Sequence, residues 1–294
     1  MSIETGYTNG PGAGDSSPAA LVDLAQRIAL EAGEIAAAGQ SRVRVLDTKS
    51  SPTDVVTEMD QASERHIRDR IVGLRPTDAV LGEEDGDSRG SSGVRWIVDP
   101  IDGTVNYLYG RPDWAVSIAV EDRGTVVAGV VAAPALGRTY TAIRGGGAWD
   151  GQRRLRRDAP PELDTALVAT GFGYAAQRRQ RQAEILRGLL PRVRDIRRAG
   201  SSALDICAVA AGEADAYYEH GLSPWDWSAA ALVATEAKVH VREPTEREPT
   251  GVQPDGRATD LLVAAPEPLC SSLDILVGQC DPGMGTVGRI TAPS

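Results

Sequence analysis

Two aspartates, Asp99 and Asp102, stand three residues apart in the segment WIVDPIDGTVNY, with a proline between them. Carboxylates this close repel each other when both are ionised, so the pair requires a compensating cation, a raised pKa or separated side chains. The residues that follow, Gly103 and Thr104, are typical of a turn into a helix, where backbone N–H groups can hold a phosphate. Mg²⁺ suits this setting because it takes few carboxylates together with phosphate oxygens.

Each acid also has a simpler explanation. Asp99 can be an ordinary turn residue, and Asp102 can be the N-cap of the helix, with Pro100 ending the ladder of a buried strand. Glu83 ends another predicted strand, where side chains commonly converge on a site. Asp226 falls in the first turn of a predicted helix, where an acid compensates the charge of the helix N-terminus. Taken singly, the acids leave both explanations open.

The segments around these acids predict alternating layers of helix and strand. Ser17 as N-cap and Pro18 in the first turn predict a first helix, and an amphipathic pattern predicts a second helix over residues 55–74. The first half then contains five predicted strands: AVLG, RWIVD, WAVSIAVED, TVVAGVVAA and RTYTAIR. The second half alternates predicted strands and helices. This pattern favours an α/β half packed on an α+β half.

The chain has 294 residues, of which 41% are hydrophobic, and this is ample for a core. A glycine-rich and then basic segment near residues 150–162 predicts a boundary. Its basic cluster consists of Arg153, Arg154, Arg156 and Arg157. This cluster is either an ordinary solvated loop or a patch that binds phosphate or a partner. We therefore expect four regions: a disordered tail over 1–16, a metal-binding α+β half over 17–155, an α/β half over 156–280 and an irregular tail over 281–294.

Charge and composition exclude several classes of function. The formal net charge of −10 argues against direct nucleic-acid binding, which depends on clustered Lys and Arg. The sequence has no apolar run long enough to span a membrane and no signal-peptide pattern at its start, so we expect a cytoplasmic protein. The three cysteines are too few for a disulfide framework, no C-x-x-C or histidine pair has a zinc spacing, and Cys207 is expected to be a buried thiol.

Four acidic blocks, in the order along the chain that the family has, resemble the inositol monophosphatase family of Mg²⁺-dependent, lithium-sensitive sugar phosphatases. WIVDPIDGT matches the first family signature over nine residues, and WDWSAAALVATEA resembles the second. GEED and KSSPTDVVTEMD match the two other acidic blocks. The resemblance extends from about residue 20 to about residue 265. It implies an α+β fold, specifically a layered αβαβα sandwich of the sugar-phosphatase type.

The resemblance also implies a site with two to three Mg²⁺ ions. Its metal ligands would be Glu83, Asp99, the backbone carbonyl of Ile101, Asp102 and Asp226. A water activated by the metal would attack the phosphate, positioned by the catalytic residues Thr104, Asp60 and Glu83. If Asp99 bridges two ions, the metals remove the repulsion that its spacing from Asp102 creates.

A mobile loop and a polyol-binding side complete the implied site. The loop would carry Lys49, Asp54 and Thr57, although this segment can also be a plain connector. The substrate-binding residues would be Gly103, Thr104, Asp102, Ser201, Ser202 and Glu219. A carboxylate at Glu219 can accept hydrogen bonds from two vicinal hydroxyls, which suits inositol. Without the resemblance, Glu219 is a surface acid.

The implied activity is hydrolysis of myo-inositol 1-phosphate, a small phosphorylated polyol, by a homodimer. Fructose-1,6-bisphosphatase, histidinol-phosphate phosphatase and 3′-phosphoadenosine 5′-phosphate phosphatase share the metal acids and stay open. The sequence shows no evident additional basic pocket, which disfavours bisphosphates and nucleotides. A protein-binding regulator associated with transcription is the alternative from another class. Ser228, Ala231 and Lys238 depart from the second signature, which usually has Ala, Gly and Gly there.

Overall fold

The computed structural model describes residues 15–48, 55–245 and 258–284. Within them the chain forms seven α-helices and fifteen strands. The helices are α1 Pro18–Gly39, α2 Glu58–Leu74, α3 Thr104–Leu108, α4 Ala176–Leu189, α5 Ser202–Ala211, α6 Pro224–Glu236 and α7 Leu269–Cys280. The strands are β1 Val45–Thr48, β2 Val55–Thr57, β3 Ala79–Gly82, β4 Asp87–Ser88, β5 Val94–Asp102, β6 Ala115–Asp122, β7 Thr125–Ala133, β8 Arg138–Ile143, β9 Gly147–Asp150, β10 Arg153–Arg154, β11 Leu167–Thr170, β12 Asp195–Arg197, β13 Ala216–His220, β14 His240–Arg242 and β15 Leu261–Ala265.

Most of the strands form two sheets. The larger sheet has eight strands in the order β10-β9-β8-β7-β6-β5-β3-β4 and is antiparallel except for the β3–β5 pair. The smaller sheet has five strands in the order β12-β11-β13-β15-β14, parallel at β12-β11-β13 and antiparallel beyond. β1 and β2 form a separate antiparallel pair. The first half is therefore mainly antiparallel, as its short strands and turns indicate.

Helices cover both faces of each sheet, which gives five layers. α1 and α2 pack on one face of the larger sheet, α5 and α6 lie between the two sheets, and α4 and α7 cover the outer face of the smaller sheet. The side chains buried between these helices and the sheets include Ile28, Ile67, Trp96, Cys207, Val233, Tyr217, Ile185, Leu273 and Tyr218. The layered αβαβα sandwich is confirmed, and Cys207 is a buried thiol as expected.

The first helix is confirmed and the second begins later than expected. Ser17 is the N-cap of α1, and its Oγ accepts a hydrogen bond from the Ala20 amide at 3.3 Å. The prediction of a helix from residue 55 was wrong, because Val55–Thr57 form β2 and α2 begins at Glu58. The β-branched residues pair with β1, and a capping box at the end of β2 then starts the helix.

The simpler explanation, in which Pro100 ends the strand and Asp102 caps the helix, was wrong. β5 continues to Asp102, which pairs with Ala115, and a register irregularity between Asp99 and Asp102 accommodates the proline. The Pro100 carbonyl accepts a hydrogen bond from Ser63 Oγ at 3.2 Å. The N-cap of α3 is Gly103, whose φ of 97° lies in the left-handed region that glycine tolerates. The Asp102 carboxylate can therefore accept hydrogen bonds from donors outside α3.

Lys238 occupies a backbone position that favours glycine. Its φ is 72°, its side chain is exposed, and it follows the end of α6. A left-handed conformation costs a residue with a Cβ about 1–2 kcal/mol, more than the entropy that glycine loses on folding. We expect Lys238→Gly to raise the free energy of unfolding by about 0.5–1 kcal/mol and Lys238→Ala to leave it nearly unchanged. Urea denaturation of both variants measures this, and equal stabilisation by alanine would contradict the backbone explanation.

The other departures, Ser228 and Ala231, are buried in α6 between the sheets. Ser228 Oγ donates to the Pro224 carbonyl of its own helix at 2.6 Å. The division into regions at residues 16, 155 and 280 stays a prediction. In the described ranges, no helix is both long and apolar enough to cross a membrane.

Candidate active site

A cavity of about 770 Å³ opens where the end of β5 meets the first turns of α5 and α6 and the end of β13. The structure brings ten residues singled out by the sequence to its walls. They are Glu83, Asp99, Ile101, Asp102, Gly103, Thr104, Ser201, Ser202, Glu219 and Asp226. Their individual roles stay predictions, but segments up to 143 residues apart in the chain meet in one cavity.

Asp102 joins the two halves of the site. Its Oδ2 accepts hydrogen bonds from Ser201 Oγ at 2.6 Å and from the Ala203 amide at 2.7 Å, and Ser202 Oγ lies 3.4 Å from Oδ1. Ser201 is also the N-cap of α5 and accepts from the Leu204 amide. The first turn of α5 therefore holds a carboxylate that comes from the larger sheet, as expected at a helix N-terminus.

The buried acids carry unusual pKa values. Burial, followed by the charges of Glu83, Asp102 and Asp226, raises the pKa of Asp99 well above its usual range. Burial and the neighbouring acids also raise the pKa of Asp226 strongly. Burial raises the pKa of Asp102 to about 6, although its hydrogen bonds to α5 oppose the shift. These acids disfavour one another's ionisation, as the sequence spacing indicated.

Glu83 follows β3 in a loop that a second glutamate holds in place. Glu64 of α2 is fully buried and accepts hydrogen bonds from the amides of Glu84 and Asp85 at 2.8 and 3.0 Å. Arg68, one turn further along α2, donates to the same carboxylate at 2.8 Å. Sequence analysis missed Glu64, since its Glu-x-x-x-Arg spacing indicated only an ordinary helical ion pair.

Thr104 and Asp60 are joined by a hydrogen bond across the cavity edge. Thr104 Oγ1 lies 3.3 Å from Asp60 Oδ1 and 3.1 Å from the Ile101 carbonyl. The other oxygen of Asp60 accepts from the amide of Thr57 at 2.8 Å and from its hydroxyl. Thr57, expected in the mobile loop, is thus the N-cap of α2, whereas Lys49 and Asp54 lie outside the described residues.

Glu219 lies among arginines that sequence analysis did not anticipate. Burial raises its pKa to about 7, while the Tyr217 hydroxyl, hydrogen-bonded to its Oε2, opposes the shift. Arg178 and Arg198 line the same cavity and favour its ionised form, whereas Arg181 pairs with Asp260 and Asp281. The sequence shows no evident additional basic pocket, because these arginines come from segments that the sequence does not link.

The raised pKa values predict the pH dependence of stability without metal. Burial also raises the pKa of Asp205 to about 8. These carboxyl groups bind protons more tightly in the folded chain than in the unfolded chain, so the stability that protonation provides is lost as pH rises from about 4 towards about 8. We expect the Tm of chelator-treated protein to fall across this window. Mg²⁺ should reduce the fall, and a Tm that rises with pH in chelator would contradict the prediction.

Known proteins resemble this chain over nearly its whole described length. The model of the inositol monophosphatase family matches residues 18–274. Inositol-1-monophosphatase SuhB of Mycobacterium tuberculosis is 45% identical over 252 residues, which cover 79% of this chain and 87% of that protein. A solved structure of Mycobacterium tuberculosis SuhB matches with a TM-score of 0.74 at 40% identity and covers 92% of this chain and 100% of its own. The chain therefore belongs to the inositol monophosphatase family.

Family membership supports a phosphatase that hydrolyses phosphate esters, and the family is metal-dependent in general. Another similar protein is named as a Nus factor and not as a phosphatase. Nus factor SuhB of Pasteurella multocida is 38% identical over 220 residues, which cover 74% of this chain and 82% of that protein.

Proposed function

We propose that the protein is a Mg²⁺-dependent phosphomonoesterase that hydrolyses myo-inositol 1-phosphate to inositol and phosphate. One observation carries the proposal. A single cavity joins a group of mutually repelling acids, the Gly103 turn and Glu219. The acids suit metal ions, the turn suits a phosphate, and a carboxylate suits the hydroxyl groups of a polyol.

The residues present fit a hard divalent cation. Burial and like charges raise the pKa values of Asp99, Asp102 and Asp226, and a cation would offset both effects. We assign two to three Mg²⁺ ions to a set of oxygen ligands: Glu83, Asp99, the Ile101 carbonyl, Asp102 and Asp226. When bound, Mg²⁺ polarises the phosphate and makes a nearby water easier to deprotonate.

The chain's own residues position the reacting groups. The amides of Gly103 and Thr104 would hold phosphate oxygens in the first turn of α3. The Thr104 hydroxyl, which donates to Asp60, would accept a hydrogen bond from the attacking water and pass its proton towards that carboxylate. The water oxygen forms a bond to phosphorus as the ester P–O bond breaks, and the released inositol oxygen takes up a proton from solvent.

The far side of the acids carries carboxyl and guanidinium groups, and both kinds of group can form hydrogen bonds with the hydroxyl groups of a polyol. Asp205 and Glu219 supply two carboxyl groups there, and Arg178 and Arg198 supply two guanidinium groups. Glu219 is held by the Tyr217 hydroxyl, so one of its oxygens is fixed in position. Gly171 leaves room for it, since a Cβ there would lie 1.9 Å from Glu219 Oε2. The arginines also leave a second anionic group possible, so bisphosphates and nucleotides stay alternatives.

We expect Mg²⁺-dependent phosphate release to be fastest from myo-inositol 1-phosphate among this ester, fructose 1,6-bisphosphate, histidinol phosphate and 3′-phosphoadenosine 5′-phosphate. Glu219→Gln should lower kcat/KM for the inositol ester by about 10–100-fold, because it loses a charged acceptor for hydroxyl groups. The same variant should change the hydrolysis of p-nitrophenyl phosphate little. The exposed Glu213→Gln is the matched control.

If the protein prefers a different ester, the assignment of inositol 1-phosphate as substrate is wrong, but the proposed metal site is unaffected. Absence of turnover with every ester would favour the second candidate, a regulator associated with transcription, which the name of the Nus factor relatives supports. The homodimer that the family resemblance implies stays a prediction, and light scattering after gel filtration measures it.

A further inference from the structure

A second group of metal-ligating side chains lies where β14 meets the start of α7, outside the cavity of the candidate active site. It consists of His240, Glu267 and Cys270, and one ligand atom of each lies within 4.8 Å of the other two. His240 Nε2 is 3.9 Å from Glu267 Oε1. Within residues 15–48, 55–245 and 258–284, no other three His, Cys, Asp or Glu ligand atoms form such a group.

A strand, a helix and the turn before that helix hold the three side chains. His240 begins β14 and pairs with Ala265 of β15. Cys270 is buried in the first turn of α7. Glu267 accepts hydrogen bonds from the amide and hydroxyl of Ser271 at 3.2 and 3.1 Å. A strand places His240, a helix places Cys270, and hydrogen bonds to Ser271 of that helix hold Glu267 in the turn before it, which limits the rearrangement that a ligand would require.

The surrounding charges leave Glu267 able to bind a cation. Arg242 Nη2 lies 3.8 Å from Glu267 Oε1, outside hydrogen-bond distance. Arg242 Nη1 donates to Asp274 Oδ2 at 2.5 Å, and Nη2 donates to Ser271 Oγ at 2.9 Å. The guanidinium charge is thus balanced mainly by Asp274, and Glu267 is not committed to it.

We propose that His240, Glu267 and Cys270 bind a transition-metal ion of the Zn²⁺ or Co²⁺ type. Imidazole nitrogen, carboxylate oxygen and thiolate sulfur are zinc ligands, whereas sulfur and nitrogen disfavour Mg²⁺. Zinc holds such ligands at about 2.0–2.3 Å and therefore about 3.5 Å from one another, compared with 3.9 Å between His240 Nε2 and Glu267 Oε1 and at most 4.8 Å within the group. His240 and Glu267 are exposed and give access from solvent, Cys270 closes the buried side, and the thiol releases its proton to solvent on binding.

Cobalt absorption tests this site separately from the cavity. In Mg²⁺-saturated, reduced protein, one equivalent of Co²⁺ should produce a thiolate-to-metal charge-transfer band that Zn²⁺ removes. The chain has only three cysteines, Cys207, Cys270 and Cys280, and none of them lines the cavity. The band should be absent in Cys270→Ser and require at least about 10-fold more Co²⁺ in His240→Ala.

Two controls match the test variants. Cys280→Ser removes another thiol, and His66→Ala breaks a His66–Glu31 pair that has the same two donor types. Both should keep the band. Lack of a band in the wild type, its persistence in Cys270→Ser or its loss in Cys280→Ser would overturn the proposal. If Cys270→Ser does not fold, the test rests on His240→Ala, a change at an exposed residue. A band that appears in this variant at the same Co²⁺ concentration as in the wild type would reject the site.

Discussion

Replacing Asp99 with asparagine should abolish phosphate-ester hydrolysis while leaving the metal-free protein at least as stable as the wild type. Burial and the charges of Glu83, Asp102 and Asp226 raise the pKa of this carboxyl group well above its usual range, and in the proposed site it is a metal ligand. An amide avoids the repulsion and the cost of burying a charge. Its Oδ1 can still accept the Ile101 amide, which now donates to Asp99 at 3.0 Å. We expect kcat to fall at least about 1,000-fold, as on loss of a group that stabilises transition-state charge.

Two measurements on the same preparation check this expectation. Phosphate release in Mg²⁺ gives kcat, and thermal denaturation in chelator gives the Tm of the metal-free protein. The partly exposed Asp122→Asn, at the end of β6, is the control and should change neither value. An Asp99→Asn protein that is less stable than the wild type in chelator would indicate that Asp99 has a structural role, and retained activity would remove it from the metal ligands.

Replacing Glu64 with alanine should cost about 3–5 kcal/mol of unfolding free energy and also lower activity. The change removes the acceptor for two loop amides and leaves Arg68, a mostly buried cation, without this carboxylate. Breaking a buried charged pair by removal of one partner has a cost of that size. Activity should fall because the loop that Glu64 holds carries Glu83.

A second acid of similar connectivity supplies the matched control for Glu64. Glu31 of α1 accepts hydrogen bonds from Arg70 and His66, but it is partly exposed, so Glu31→Ala should cost less than about 1 kcal/mol. Glu64→Gln keeps one acceptor oxygen and should fall between the two. Urea denaturation gives the three free energies. Similar losses in Glu64→Ala and Glu31→Ala would contradict the importance that we assign to burial.

The sequence predicted much of the fold because the patterns that form each element are local. Ser17 and Pro18 mark the start of α1, and alternating apolar residues mark the strands of the larger sheet. Glu83 and Asp226 also lie at the ends of predicted elements, but it was the resemblance to the family that implied a shared site for them. Pro100 misled the local prediction, because a register irregularity in β5 accommodates it and only the pairing with β6 shows this.

The features that sequence analysis missed depend on contacts between distant segments. Glu64 supports Glu83 only because α2 packs beside the loop after β3, 20 residues further along the chain. Arg178 and Arg198 reach Glu219 from α4 and from the segment before α5, and no spacing in the sequence relates the three residues. His240, Glu267 and Cys270 likewise have no zinc spacing. Their proximity arises from the pairing of β14 with β15 and the position of α7.

The helices between the two sheets, α5 and α6, determine which parts of the protein can unfold separately. α5 and α6 bury side chains against both sheets, and the same two helices begin at the cavity, where they carry Ser201 and Asp226. Neither sheet can separate from these helices without exposing core residues that the other sheet also covers. Folding cooperativity and the integrity of the site are therefore linked, so partial opening that keeps one half native would still dismantle the site. We therefore expect the two sheets and the helices between them to unfold as one cooperative unit, and the cavity to be lost in the same transition.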